Sequence, residues 1–216
     1  MKNAVIQRIL DEKIIVIVRG ITKDKLLPLT EAMYAGGIRL LEITYSATGT
    51  PSDTETAECI RMLNEHWGEK MYIGAGTVLS PMQAELTAKA GGKFIISPDT
   101  NPDVIKKTVE LGLVSIPGAL TPTEISLAVR SGADFAKLFP VCSMSAEYVK
   151  AVKAPLSHVN LLAVGGVSED NIKEYLKAGA CGFGLGSNIV NKKMIDEGDW
   201  NGITELAKRF VELVKN

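Results

Sequence analysis

Short β-branched runs alternate with longer stretches of helical periodicity along the whole chain, and this alternation restricts the fold more than any other feature. The runs cover residues 14–18, 39–43, 71–75, 93–97, 114–117, 134–139, 161–164 and 182–185. Between them, residues 24–35, 54–65, 81–90, 102–111, 122–130, 146–152 and 169–177 place apolar side chains at helical spacing. Helical stretches open on Ser80-Pro81, Thr121-Pro122 or Ser168-Glu169-Asp170, side chains and imino acids that suit a first turn with orphan N–H groups. They close on glycine just before the next run, as at Gly36-Gly37, Gly91-Gly92, Gly112, Gly132 and Gly179. Glycine accepts the left-handed conformation that ends a helix.

Strands that each feed a helix must pair in parallel, because the crossover returns the chain to the same end of the sheet. Eight such units predict a closed parallel (β/α)8 barrel, with residues 1–216 as one domain. Residues 1–11 are expected to form an extra helix before the first strand, and residues 197–201 a loop before the last helix. Ile203, Leu206, Phe210 and Leu213 mark the expected buried stripe of that helix. The alternative is an open doubly wound sheet. It calls for a Gly-rich dinucleotide turn after the first strand, and Arg19-Gly20-Ile21-Thr22 is not one.

Composition narrows the function classes. Twenty-four Lys and Arg against 25 Asp and Glu leave a net charge of −1, which gives no electrostatic case for nucleic acid or an anionic membrane. No apolar run approaches the roughly 20 residues that span a bilayer, and the amino end lacks a signal-peptide core. Cys59, Cys142 and Cys181 are odd in number and far apart, so a cytoplasmic protein without a disulfide framework is expected. His66 and His158 have no neighbouring His or Cys at ligand spacing, so neither a metal nor a cofactor is expected.

Barrel chemistry sits at the carboxyl ends of the strands. In the sixth run, alternation puts Phe135, Lys137 and Phe139 on one face, with Ala136 and Leu138 on the other. Lys137 is buried on either face, and a desolvated lysine is relieved by losing its proton or gaining a partner charge. In the second run, Leu40, Glu42 and Thr44 share a face. Two readings stand: a structural ion pair filling the barrel, or a lysine nucleophile for carbonyl chemistry with a carboxylate that shuttles protons. The seventh and eighth runs end in Gly165-Gly166-Val167-Ser168 and Gly186-Ser187-Asn188, where glycine lets backbone N–H groups approach a phosphate. Thr77, past the third run, is a substrate hydrogen-bond donor or a helix cap. Arg19, past the first, holds a carboxylate or phosphate or else a rim salt bridge. Cys142 reads as a bystander thiol.

Taken in order, several segments are similar to the 2-keto-3-deoxy-6-phosphogluconate (KDPG) and 4-hydroxy-2-oxoglutarate (KHG) aldolases. They are Leu41-Glu42-Ile43-Thr44, Gly74-Ala75-Gly76-Thr77-Val78-Leu79, Ser97-Pro98, Ile116-Pro117-Gly118, Lys137-Leu138-Phe139-Pro140 and Gly165-Gly166-Val167-Ser168. The resemblance runs from about residue 14 to 188. It implies a class I aldolase on a (β/α)8 barrel, homotrimeric, cleaving KDPG to pyruvate and glyceraldehyde 3-phosphate. Lys137 matches the Schiff-base lysine and Glu42 the proton-moving acid. Thr77, Pro98 and Phe139 match the pyruvate pocket, and Arg19 an arginine at the end of the first strand. Gly165, Gly166, Ser168, Gly186 and Ser187 match the surroundings of the phosphate. One departure stands out. Many members carry Arg four residues after the catalytic Glu to hold the substrate carboxylate, and this chain has Ser46. Arg19 or loop N–H groups are the replacements at hand. Galactonate-derived substrates, a sugar-phosphate isomerase or epimerase, and a non-catalytic phosphate-binding barrel are the competing readings.

Overall fold

The computed structural model describes residues 2–215. After an opening helix α1 (Lys2–Glu12), strands and helices alternate: β1 (Ile14–Val18), α2 (Lys23–Ala35), β2 (Leu40–Thr44), α3 (Asp53–Trp67), β3 (Tyr72–Gly76), α4 (Pro81–Lys89), β4 (Phe94–Ile96) and α5 (Pro102–Glu110). The second half runs β5 (Val114–Ile116), β6 (Gly118–Ala119), α6 (Pro122–Arg130), β7 (Ala136–Leu138), α7 (Ala146–Lys153), β8 (Leu161–Val164), α8 (Ile172–Lys177), β9 (Gly182–Leu185), α9 (Lys192–Glu197) and α10 (Trp200–Lys215).

All pairings are parallel, in the order β5-β4-β3-β2-β1-β9-β8-β7-β6. The two outermost strands are consecutive in the chain and separated by Pro117 alone, so they are halves of one stave and the ring closes through it. This explains nine strands where eight were expected. Proline has no N–H to donate to a ladder, but its carbonyl still accepts from the Lys137 N–H at 2.8 Å.

The side chains sort as period-two alternation requires. Ile15, Leu40, Phe94, Ile96, Val114, Ile116, Phe135, Leu162 and Val164 fill the barrel interior, and Val5 and Ile9 of α1 belong to the same cluster. The opening helix therefore plugs one end and leaves the other for a site. A second, larger cluster includes Val16, Leu41, Ile73, Ile95, Leu138, Ala163 and Phe183, which pack outward against helices. Two interior positions are glycine because their neighbours need the space. A Cβ at Gly74 would overlap the Phe94 ring, and one at Gly76 would overlap the Glu42 carboxylate.

Local signals hold at most helix ends. Ser80 accepts from the Gln83 N–H, and Thr121 forms a capping box with Glu124. The residues after α2, α4, α5, α6 and α8 turn left-handed at Gly37, Gly91, Gly112, Gly132 and Gly179, with φ from 71° to 106°. Three expectations need correction. Helix α8 starts at Ile172, not near Ser168, because Asn171 precedes it and its Oδ1 accepts the Ser168 N–H at 2.8 Å, tying residues 168–171 into a turn. The loop expected at 197–201 is shorter: α9 fills Lys192–Glu197, Gly198 turns left-handed at φ 71°, and α10 begins at Trp200. In α10 the buried face is Ile203, Ala207, Phe210, Val211 and Val214, while Leu206 and Leu213 lie half-buried at its margin. Of the expected residues 1–11, the described part is helical from Lys2 onward, and Met1 lies outside the described residues.

Candidate active site

The unplugged end of the barrel holds a cavity of about 220 Å³. Its walls come from the ends of most staves. Arg19, Glu42, Thr77, Pro98, Lys137, Phe139, Gly165, Gly166, Gly186 and Ser187 all line it, so ten of the expected site residues meet there although they are spread over the chain. Ser168 does not line it. Its N–H is committed to Asn171, and the chain has turned away from the mouth by that point. Val167 and Asn188, which lie in the two glycine segments singled out in the sequence, complete the wall together with Ile17, Val164 and Gly184, which were not anticipated. Ile17, Val164 and Gly184 were within reach of the sequence, since each shares the inward parity of Ile15, Leu162 or Gly182 along its strand.

Lys137 and Glu42 are the buried charged residues of the core, at 7% and 1% exposure. They project from β7 and β2, on opposite sides of the ring. A smaller void of about 10 Å³ lies deeper, bounded by both residues and otherwise by Ile15, Ile17, Ile96, Ile116, Leu162, Val164 and Gly184. That is room for about one water. Burial lowers the Lys137 pKa, with the Glu42 charge opposing and the Arg19 charge reinforcing the shift. Burial raises the Glu42 pKa to about 7, against the pull of Lys137 and Arg19. Glu42 Oε2 is buried without a hydrogen-bond partner. The structural reading of the two residues as a satisfied ion pair therefore fails on geometry. Burial works against the charged form of both residues. Lys137 Nζ stands 4.6 Å from the centroid of the Phe139 ring, over its face.

At the rim, Arg19 Nη2 donates to Thr77 Oγ1 at 2.9 Å. Thr77 is not a helix cap, because Ser80 has that role for α4. It is one of two non-glycine residues with positive φ among the described residues, at 55°. A β-branched residue in that region costs about 1–3 kcal/mol and persists where the surroundings over-determine it. The glycines after β8 are left-handed and crowded: Gly165 (φ 84°) lies against Phe139 and Pro140, and a Cβ at Gly166 (φ 93°) would overlap Cys142. After β9, Gly186 O accepts from both Ile189 and Val190 N–H groups, so a turn opens directly at the cavity edge with Ser187 and Asn188 at its start.

Ser46 faces another task. Its Oγ accepts from the Thr48 and Thr50 N–H groups at 3.2 and 3.3 Å, knotting the loop after β2, and it does not line the cavity. The cavity's cationic side chains are Arg19 and Lys137. Among the described residues, no cluster of three His, Cys, Asp or Glu side chains gathers as a metal site and no helix is long and apolar enough to cross a membrane.

A family model described as KDPG and KHG aldolase matches residues 5–206. The chain belongs to that family. It is an aldolase, a carbon–carbon lyase, on the parallel barrel that this family shares. The chain is 36% identical over 203 residues to the 2-dehydro-3-deoxy-6-phosphogalactonate aldolase of Escherichia coli strain K12, covering 94% of this chain and 96% of that protein. Among solved structures, a native KDPGal structure superposes with a TM-score of 0.84 at 33% identity, covering 94% of both chains. The KDPG aldolase of Legionella pneumophila, with pyruvate captured at low pH as a covalent carbinolamine intermediate, superposes with a TM-score of 0.82 at 28% identity, covering 91% of this chain and 93% of that one.

Proposed function

We propose that this aldolase uses Lys137 as a Schiff-base nucleophile to cleave a 2-keto-3-deoxy-6-phospho sugar acid into pyruvate and glyceraldehyde 3-phosphate. The observation that carries the reading is a lysine kept from solvent at the mouth of a barrel, without an ion-pair partner, facing a carboxylate whose ionisation is centred near neutrality. The neutral amine attacks C2 of the keto acid, and the carbinolamine hydroxyl takes a proton from solvent and leaves as water, which gives an iminium; the final hydrolysis returns that proton. Glu42, directly or through one water, takes the C4 hydroxyl proton. As the C3–C4 bond breaks, its electron pair enters the iminium, giving an enamine and releasing the aldehyde. Glu42 returns the proton to C3, and hydrolysis frees pyruvate and the amine. The Phe139 ring beneath Nζ stabilises the cationic intermediate. Arg19 anchors the carboxylate in place of the arginine that Ser46 replaces, and Gly165, Gly166, Gly186 and Ser187 surround the phosphate.

We infer the galactonate-derived C4 epimer as the first candidate, ahead of the gluconate-derived substrate expected from sequence; the 36% identity over 203 residues to a galactonate-derived aldolase supports this reading. Parallel assays of both epimers and of 4-hydroxy-2-oxoglutarate test this order. A kcat/KM at least tenfold higher for the galactonate-derived epimer supports it; equal or reversed values return the gluconate-derived epimer to first place. Exposed Leu79 and Met82 at the start of α4 are apolar surface that the homotrimer implied by the resemblance would have to cover, and analytical ultracentrifugation tests the trimer.

A further inference from the structure

The hydrogen bond between Arg19 and Thr77 spans more than a local turn. Arg19 follows β1, Thr77 follows β3, and β2 pairs with both, so the bond crosses over the end of β2. Glu42 lies on the inward face of that strand. Its carboxylate packs into the space left by the missing side chain of Gly76, the residue next to Thr77 in the chain. The bridge therefore passes beside the carboxylate. Arg19 is exposed, and the Thr77 bond is its one side-chain hydrogen bond among the described residues. A guanidinium on so long a side chain stays near the cavity only if something holds it. Thr77 does so from a backbone conformation that is unfavourable for a β-branched residue, at φ 55°.

We propose that Thr77 is a positioning residue whose hydroxyl holds the Arg19 guanidinium beside Glu42 at the cavity rim, fixing the positive charge that faces the Glu42 and Lys137 site. The proposal rests on the reading that Lys137 and Glu42 carry the chemistry. The charged groups facing Glu42 are Lys137 from β7 and Arg19 from the end of β1, and both favour its ionised form. Arg19 also disfavours the protonated form of Lys137. Releasing Arg19 to solvent thus acts on both groups in one direction: the carboxylate and the amine each hold their protons to higher pH, and the acid limb of the rate profile moves up.

The test compares pH profiles of kcat/KM for wild type, T77V, T77S, R19M and the T77V/R19M double variant. Trapping of wild type by pyruvate and borohydride comes first; if it fails, the Schiff-base reading fails, and with it the ground of the proposal. Given trapping, T77V and R19M are each expected to move the acid limb upward by roughly half a pH unit or more, the scale of a nearby charge. T77S, which keeps the hydroxyl, is expected to stay near wild type. In the R19M background T77V is expected to add nothing, because its effect runs through Arg19. A T77V enzyme with a raised KM and an unmoved acid limb would make Thr77 a direct substrate contact and overturn the proposal. Effects of T77V and R19M that simply add would do the same. Should T77V fail to fold by circular dichroism, an unmoved R19M profile is sufficient to overturn it.

Discussion

Lys137 and Glu42 project from β7 and β2 toward the same cavity, yet no hydrogen bond satisfies Glu42 Oε2 and no ion pair joins the two. Burial outweighs their mutual attraction, so the amine is pushed down and the acid up to about 7. A buried pair locked together would stabilise little and react with nothing. Held apart, with burial working against the charge of each, the same two residues suit the proton transfers of the proposed mechanism.

Replacing Lys137 with Met is expected to abolish cleavage and leave the barrel folded. A buried amine is costly and Met fills a similar volume, so the melting temperature should equal or exceed that of wild type. Mass spectrometry after pyruvate and borohydride checks the chemistry: wild type should gain mass on the peptide holding Lys137, and K137M should not. A folded K137M enzyme cleaving at the wild-type rate would remove Lys137 from the mechanism.

Glu42→Gln is expected to lower turnover by about 10²-fold or more, the usual scale for a lost acid–base group. Wild-type kcat/KM should rise with pH through about 7 as Glu42 ionises. Stability runs the other way. The folded pKa of Glu42 lies above its ordinary 4.5, so its contribution to stability is complete below that value and is lost as pH rises through about 7. E42Q stays neutral throughout. Thermal melts should therefore show E42Q gaining on wild type between about pH 5 and pH 8; a constant difference would mean that Glu42 does not titrate there.

Gly76→Ala places a methyl where the Glu42 carboxylate lies. Overpacking of this kind costs about 1–3 kcal/mol, and here the displaced group is also the proposed base. Urea denaturation should show that loss, and turnover should fall by more than the stability change explains. Retained turnover would mean that the carboxylate can move without consequence.

Phe139→Leu keeps an apolar wall but removes the ring under Lys137 Nζ. A cation over an aromatic face gains about 0.5–2 kcal/mol, and the iminium depends on it. Borohydride trapping at limiting pyruvate should fall about 2- to 30-fold, the equivalent of that energy. Trapping at the wild-type level would assign Phe139 a packing role only.

Much of the barrel was legible because its determinants are local. Glycine after most helices, Pro-initiated first turns and period-two runs are properties of a few adjacent residues, and they fall where the elements fall. The misreadings have local causes as well. At Ser168 the motif matched a cap, but the Asn171 side chain accepts the Ser168 N–H and closes residues 168–171 into a turn, and the helix starts at Ile172. The fifth run ends at Pro117, which cannot donate to a ladder, but the stave resumes beyond it, so one stave became β5 and β6.

The sequence by itself determined the order of strands and helices and the presence of a lysine and a glutamate in runs where charge is expensive, because periodicity, capping and burial cost are written in neighbouring residues. Only the tertiary structure decided that Gly76 makes room for Glu42, that Arg19 reaches Thr77 over the strand between them, that Ser46 knots its own loop, and that Asn188 joins the cavity wall. Those relations depend on ring closure, which sets side chains far apart in the chain within a few ångströms of one another, and no local pattern encodes such distances.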